Sequence, residues 1–461
     1  VDSEEKIDSG TKMNLVDAVF AAGVVGQGGA GFPTHVKLKA RAKTFIINAA
    51  ECEPLIAIDK YLCRHKAEEI IAAAMLIASH LGAERTIIAL KETYSEEINQ
   101  LEKAIIQLKA PVELHKMKPF YPAGDEQTMV QDVTGRSIPE RGLPLDVGAV
   151  VDNVGTVLAV RDAVQGRPVT HKILSVVGEV AKPVILNVPI GTAIDDCIAL
   201  AGPRGTDYAV IVGGPMMGRV LTGREEIDAQ VVTKTTGNLL VLPKDHYLIR
   251  RSRMSLHQIK RQAVTACIQC RQCTDLCPRH LIGHCVEPHM VMRNFFKEDF
   301  LTDSGDYIRA FGSAVNCCDC GVCEMFACPM GLSPRKVNGY FKNQLREKKL
   351  EVPKEKEPVA KASIAYKRIP TARLTARLGL SSYKNQKIDS CHDFESDTVC
   401  IPLKMHIGST AKPVVNVGDA VPVGGCIAAA GPGLSANVHS SISGTVTSVA
   451  ADKIVITRKG V

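Results

Sequence analysis

Hydrophobic residues follow two rhythms in the first third of the chain. Short apolar runs at 45–49 and 86–90 have the length of strands buried on both faces. Between them Ala67–Leu81 carries apolar residues at helical spacing and stops at Gly82, a residue suited to a left-handed C-cap. A further helix is expected over 15–22. Strand and helix alternating through 14–166 predict an α/β layer structure. The rhythm changes over 170–245, where Val/Ile runs are cut by Gly and Pro, and predicts a small mixed β domain with one helix around Ile194–Ala201. Cysteine rather than periodicity dominates 255–345. Residues 335–387 contain Pro353, Pro358 and Pro370 with little apolar periodicity and read as a linker or wrapping segment. Beyond Lys387, strands are expected at 414–417, 421–423, 426–430 and 444–449, with turns at Gly418-Asp419 and Gly424-Gly425.

At 461 residues, and roughly 150 per domain, about three domains are expected. A composition 45% hydrophobic and 23% charged excludes wholesale disorder. The net charge of +7 is mild and concentrated, since 335–387 holds 15 basic and 4 acidic residues. That stretch reads as a solvated tether or a docking segment for an acidic partner. It lacks the interleaved aromatics of a single-strand binder, so nucleic acid is not expected. The longest apolar run, 70–78, is far short of the ~20 residues of a membrane span. The polar start is unlike a signal peptide. Met13 reads as a candidate natural start, with residues 1–12 an appended or disordered tail.

Ten of the 16 cysteines lie between Cys267 and Cys328. Such crowding, with no export signal, points to metal ligation in a reducing compartment. Cys267-x2-Cys270-x2-Cys273-x3-Cys277-Pro278 has the spacing of a bacterial [4Fe–4S] run, in which three thiolates wrap one cubane and the fourth ligates the other cluster. Cys317-x2-Cys320-x2-Cys323-x4-Cys328-Pro329 repeats it with a last gap one residue longer. Exchange of the fourth ligands gives Cys267, Cys270, Cys273 and Cys328 for one cluster, and Cys317, Cys320, Cys323 and Cys277 for the other. Cys318 competes with Cys317, but only Cys317 keeps the spacing. Zinc sites, the alternative, favour isolated Cys-x2-Cys pairs. Cys285 and Cys318 are expected to be bystanders, and Cys52, Cys63, Cys197, Cys391, Cys400 and Cys426 to be small buried hydrophobes.

Four glycines, Gly26, Gly28, Gly29 and Gly31, precede Phe32-Pro33 and let backbone amides approach a phosphate, with Lys37 placed to neutralise it. Glycine also serves plain turn geometry. The run is neither a Walker loop nor the Rossmann fingerprint. It becomes specific with Asn48-Ala49-Ala50-Glu51-Cys52-Glu53-Pro54, Gly124-Asp125-Glu126 and Asn153-Val154-Gly155-Thr156. In this order the motifs resemble the flavin-binding, NADH-oxidising subunit of respiratory complex I, and still more the RnfC protein of Rnf electron-transport complexes. Gly213-Gly214-Pro215-Met216-Met217-Gly218 is similar to the β-grasp domain of that Rnf protein. Pro402-Leu403-Lys404-Met405-His406-Ile407-Gly408 is similar to its barrel-sandwich domain. In the Rnf protein the barrel-sandwich segment comes first. Here it comes last, as in PduS-type cobalamin reductases of propanediol-utilisation microcompartments, the family this chain resembles over nearly its whole length.

The resemblance implies a multidomain α/β and α+β protein. Its parts are an α/β FMN/NADH domain over 13–166, an SLBB-like β-grasp domain over 167–250, a helical two-[4Fe–4S] ferredoxin-like domain over 251–345, a basic linker over 346–390 and an all-β barrel-sandwich hybrid over 391–461. It places FMN phosphate on Gly26, Gly28, Gly29 and Gly31 beside Lys37, and lines isoalloxazine and ribityl chain with Asn48, Glu51, Gly124, Asp125, Glu126 and Asn153. Glu53 would contact the nicotinamide nucleotide and Phe32 stack on it, which makes Glu51 and Glu53 the candidate catalytic residues. An acidic residue of the complex I protein is replaced by Ala50. The barrel-sandwich domain shows no lysine at a hairpin tip and is expected to be a scaffold rather than a carrier. His406 is ligand-competent, yet its motif recurs in the Rnf protein, so a structural role is expected. The implied activity is electron transfer from NADH through FMN and two clusters to cobalamin, reactivating the cofactor of a diol dehydratase. The alternatives are an Rnf-like member of an NADH:ferredoxin oxidoreductase and a non-catalytic conduit docked to a microcompartment shell. Implied partners are NADH, cobalamin or a cobalamin-handling enzyme, and a shell protein or adenosyltransferase, with no membrane span. The implied location is cytoplasmic, within a bacterial microcompartment.

Overall fold

The computed structural model describes residues 14–386, 388 and 390–458; the readings made for Met13 and 1–12 lie outside them. In the first unit four parallel strands lie in the order Val112–Met117, Arg85–Lys91, Thr44–Asn48, Ala149–Asn153. Ile46, Ile47, Ile87 and Ile88 are buried on both faces of this sheet. Helices Ala67–Leu81, Ser95–Leu108 and Val154–Val164 contribute to its cover. The first of these ends as expected at Gly82, with φ +68°. Strand order reverses between Thr44–Asn48 and Ala149–Asn153, whose last residues, Asn48 and Asn153, are paired. The crevice beyond the carboxyl ends of strands at such a switch point is where open α/β sheets bind ligands.

A six-stranded mixed sheet follows, with strands His171–Gly178, Val184–Pro189, Tyr208–Val212, Arg219–Leu221 and Asn238–Pro243, and Cys391–Asp393 at one edge. Ile194–Ala201 packs against it. A second helix, Arg224–Asp228, goes beyond the expected single helix, because five residues are too few to show a period.

The cysteine region is helical around Phe295, Tyr307, Phe311 and Phe341, the last two rings stacking at 3.7 Å. Pro334–Glu347 belongs to this core and buries Val337, Phe341 and Leu345. The start of the basic stretch is therefore an amphipathic helix, whose apolar stripe the charge density obscures.

Residues 348–386 wrap the molecule. Glu355 exchanges hydrogen bonds with Glu140, and Val359 lies against Gly283. Ile369–Pro370 pairs with Phe120–Tyr121, and Gln386 binds Gly178 through both amide atoms. Part of the basic charge is used internally: Arg368 bonds Asp132, and Arg377 donates to the Cys328 carbonyl.

The last unit stacks a four-stranded sheet (Thr398–Pro402, Lys453–Thr457, Gly444–Val449, Ala420–Val421) on a three-stranded one (Lys412–Pro413, Cys426–Ala429, Val438–His439) over Val399, Ile401, Ile427, Ile454 and Ile456. The run at 414–417 is not a strand. Its valines 414 and 417 are exposed, and Asp419 folds it into a turn by accepting the Asn416 amide. Of the cysteines expected to be buried, Cys63 and Cys197 are, whereas Cys426 is exposed. No helix of the described residues is long and apolar enough to cross a membrane.

Candidate functional site

A cleft of about 1620 Å³ opens at the switch point. Its wall includes all thirteen flavin and nucleotide residues inferred from sequence: Gly26, Gly28, Gly29, Gly31, Phe32, Lys37, Asn48, Glu51, Glu53, Gly124, Asp125, Glu126 and Asn153. The glycine loop is pinched shut at its base by the Val25–Pro33 bridge and the Gly26 amide on the Phe32 carbonyl, 2.8 Å. The helix Val154–Val164 starts beside it, with Asn153 as N-cap, and Thr156 Oγ1 accepts the Gln27 amide at 2.9 Å. Glycine loop and helix N-terminus together make an anion cradle. A Cβ on Gly28 would press on the Asn153 side chain at 3.1 Å, and one on Gly124 on Cys52 Sγ at 3.2 Å. The cradle fits the phosphate and narrow body of FMN.

Asn48 and Asn153 turn their amides onto protein groups. Asn48 Nδ2 donates to the Gly124 carbonyl at 2.9 Å, and Asn153 Nδ2 donates to both Asp59 oxygens at 2.9 and 3.0 Å. Glu51 sits at φ +33°, in the left-handed region. Lys91 and Tyr94 donate to its carbonyl, and its carboxylate accepts the Asp59 and Lys60 amides of helix Ile58–His65. Burial pushes the carboxyls of Glu51 and Asp59 up. Lys172, from the mixed sheet, reaches the glycine loop and donates to Gln27 Oε1 at 2.7 Å; burial lowers its pKa to about 8, against the pull of Asp59. Neither Asp59 nor Lys172 belongs to a motif, and only the fold brings them here.

Two inferred residues are engaged differently from the expectation. Lys37 Nζ donates to the Val151 carbonyl at 2.6 Å and to Glu126 at 3.1 Å, with Asp152 at 3.6 Å, so its charge is balanced by carboxylates. Glu53 accepts the amides of Met216 and Met217, and burial raises its pKa to about 7 despite these bonds. The C-terminal unit closes the cleft's far side. A Cβ on Gly31 would lie 2.9 Å from the Met405 carbonyl and 3.1 Å from His406 Cα, and Ile407 lines the wall. His406 is itself buried, with Nε2 against the Ser409 carbonyl, Ser435 Oγ and the Ala436 amide.

Both cysteine runs adopt one loop conformation. Gln269 and Arg271 in the first have positive φ, and so do Asp319 and Gly321 in the second. The match aligns Cys317 with Cys267 and leaves Cys318 out of register. Cys273 interacts with Cys267, Cys270 and Cys328, whereas Cys277 interacts with Cys317 and Cys318, and Cys323 with Cys317, Cys277 and also Cys273. The eight thiols expected as ligands gather in one region, with Cys328 near the first run and Cys277 near the second, and their number suits two cubanes. Amides of Asp319 and Leu332 already point at Cys317 and Cys328 sulfurs, 3.4 and 3.3 Å. The sets differ in setting. Cys318 and Cys320 line the cleft, and Tyr121 Oη donates to the Cys320 carbonyl at 2.7 Å; Cys270 of the other set is exposed, beside Ile268 and Met330.

Comparison with known proteins follows this division. Residues 19–162 match the Nuo51 FMN-binding domain, 173–220 the SLBB domain, 266–333 the 4Fe-4S dicluster domain and 382–460 the RnfC barrel sandwich hybrid domain. Cobalamin reductase PduS of Citrobacter freundii is 42% identical over 452 residues, 97% of each chain. The chain belongs to the PduS family. A second member, from Salmonella typhimurium, is 41% identical over 96% of both chains. The C-subunit of the ion-translocating oxidoreductase complex of Erwinia tasmaniensis is 36% identical, but over 59% of this chain and 32% of its own. Likeness to the PduS family thus spans all four units, and likeness to the ion-translocating complex only part of them.

Proposed function

We propose that this protein takes electrons from NADH and delivers them singly to the corrinoid; its full-length relatives are named as cobalamin reductases. FMN supplies a centre that accepts a hydride's two electrons and releases them one at a time. The chain's own residues bind and orient. The glycine loop and the start of helix Val154–Val164 hold phosphate, Asn48, Asn153 and the Glu51 loop shape the ring site, and Glu53 fixes the loop 213–218 on the cleft rim. The observation that carries the reading is that Cys318 and Cys320 share a wall with the glycine loop, so the cluster of Cys277, Cys317, Cys320 and Cys323 is the flavin's neighbour. Cys267, Cys270, Cys273 and Cys328 then form the outer centre, and the exposed surface around Cys270, Ile268 and Met330 is the exit towards cobalamin or an enzyme carrying it.

A propanediol-utilisation microcompartment is the proposed setting. A shell protein or adenosyltransferase would meet the exposed lysines of the wrap, Lys348, Lys349, Lys354, Lys356, Lys361 and Lys384. The test is anaerobic NADH oxidation with hydroxocobalamin as acceptor, beside ferredoxin and an artificial dye. Cobalamin reduction requiring FMN and both clusters supports the proposal. Dye reduction without cobalamin reduction would place the acceptor elsewhere.

A further inference from the structure

Arg279 follows the Cys277-Pro278 pair and is buried in the wall between the cleft and the second cysteine loop. Its Nη2 donates to Asp125 Oδ1 at 2.7 Å. The other Asp125 oxygen is held by the amide and hydroxyl of Thr128, at 3.0 and 2.9 Å, so the carboxylate is fixed on the cleft side as the cap of helix Glu126–Thr134. On the opposite side the guanidinium acts on Cys318 and Cys320, with the Cys318 thiol as its hydrogen-bonding neighbour, and no other acceptor meets Nε and Nη1. A buried guanidinium whose donors meet at most one neutral thiol favours a stronger, anionic acceptor facing them. The donor set of Cys277, Cys317, Cys320 and Cys323 offers that acceptor in the sulfur of a [4Fe–4S] centre.

We infer that Arg279 is a positioning residue that raises the reduction potential of the cluster next to the flavin and ties that cluster to the flavin pocket through Asp125. The inference rests on the cofactor assignment above. An electron entering the cluster from the flavin side adds one negative charge, which remains until it passes to the outer cluster. A buried cation within reach of the sulfurs stabilises the reduced form more than the oxidised one, and hydrogen bonds to sulfur act in the same direction. The cations at the outer set are more exposed: Arg271 is half exposed and faces Asp275 at 3.4 Å, and Arg377 reaches the Cys328 carbonyl from the surface. Arg279, the buried cation tied to Asp125, therefore contributes to an electrostatic difference between the two centres that draws electrons off the flavin.

The experiment uses the full chain loaded with iron, sulfide and FMN, and follows both clusters by EPR during a redox titration, with Cys270→Ser assigning the outer signal. In Arg279→Gln the inner midpoint is expected to fall by at least a tenfold change in the one-electron equilibrium, about 59 mV, while the outer midpoint stays. Arg279→Lys should fall by less, since it keeps the charge and loses the fork. An inner midpoint unmoved in both variants overturns the inference. So does loss of the inner cluster's iron in both, which would make Arg279 a support for assembly. Wild-type protein lacking two cluster signals would defeat the cofactor assignment and this inference together, whereas intact wild-type signals with unmoved midpoints would defeat the inference alone.

Discussion

Glu53 and Met216 join the α/β unit to the mixed sheet: a Glu53 oxygen accepts the Met216 amide at 2.8 Å, and the second oxygen takes the Met217 amide at 3.0 Å. The carboxylate fills a place where even a methyl on Gly214 would come within 2.2 Å of it. Arg335 of the cysteine region donates to the Met216 carbonyl, so three units meet on one dipeptide. Glu53→Ala orphans two amides and is expected to cost about 1–3 kcal/mol, read as a lower denaturant midpoint. It should also slow NADH-driven bleaching of the flavin, with Glu53→Gln recovering part of both. Unchanged bleaching in the alanine variant would separate Glu53 from nucleotide handling.

Cys317 and Cys318 are told apart by backbone conformation. Cys317→Ser should remove about half of the iron of the loaded protein and one EPR signal. Cys318→Ser should keep both clusters. The reverse result would show that the register read from Asp319 and Gly321 is wrong.

Gly31→Ala combines a left-handed position, φ +69°, with contact on the Met405 carbonyl. Left-handed strain alone is worth roughly 1–2 kcal/mol, and the neighbour here is backbone. The loop should shift, and the variant should lose FMN while keeping its iron. Flavin and iron content of one preparation measure both.

Lys234 lies fully buried where three units meet, donating to the Gly23 carbonyl at 2.6 Å and the Asn437 carbonyl at 2.7 Å. Burial lowers its pKa to about 7, and Cys426, His406 and His439 are its titratable neighbours. Between pH 7 and about 10.5 the unfolded chain holds a proton that the folded one has released, so stability rises with pH through that window. The rise is on the order of a few kcal/mol. Lys234→Met should flatten it, as thermal midpoints across the window would reveal.

Much of the first unit is legible in the sequence because its signals are local. The runs at 45–49 and 86–90 are strands, Ala67–Leu81 is a helix, and Gly82 caps it. The two cysteine runs are legible because spacing constrains geometry, and the fold does bring Cys328 near Cys273 and Cys277 near Cys317. Long-range encounters are not legible. Nothing near Gly31 announces that Met405 will seal it, and Lys172 has no motif to mark its reach to Gln27. Arg279 carries a faint signal, a cation inside the cysteine window, but its meaning depends on Asp125, 154 residues earlier. At 335–347 charge density hides an apolar stripe that the helix Pro334–Glu347 makes plain.

The wrap over 348–386 also orders events during synthesis. Its attachments to Glu140, Gly283, the Phe120–Tyr121 strand and Gly178 are made by chain that leaves the ribosome only after all eight cysteines proposed as cluster ligands. Until Ile369 emerges, the edge at Phe120–Tyr121 is unpaired and the second cysteine loop behind Tyr121 can still be approached. Iron loading thus has an interval before the belt is fastened, and protein made without iron would close around empty thiols.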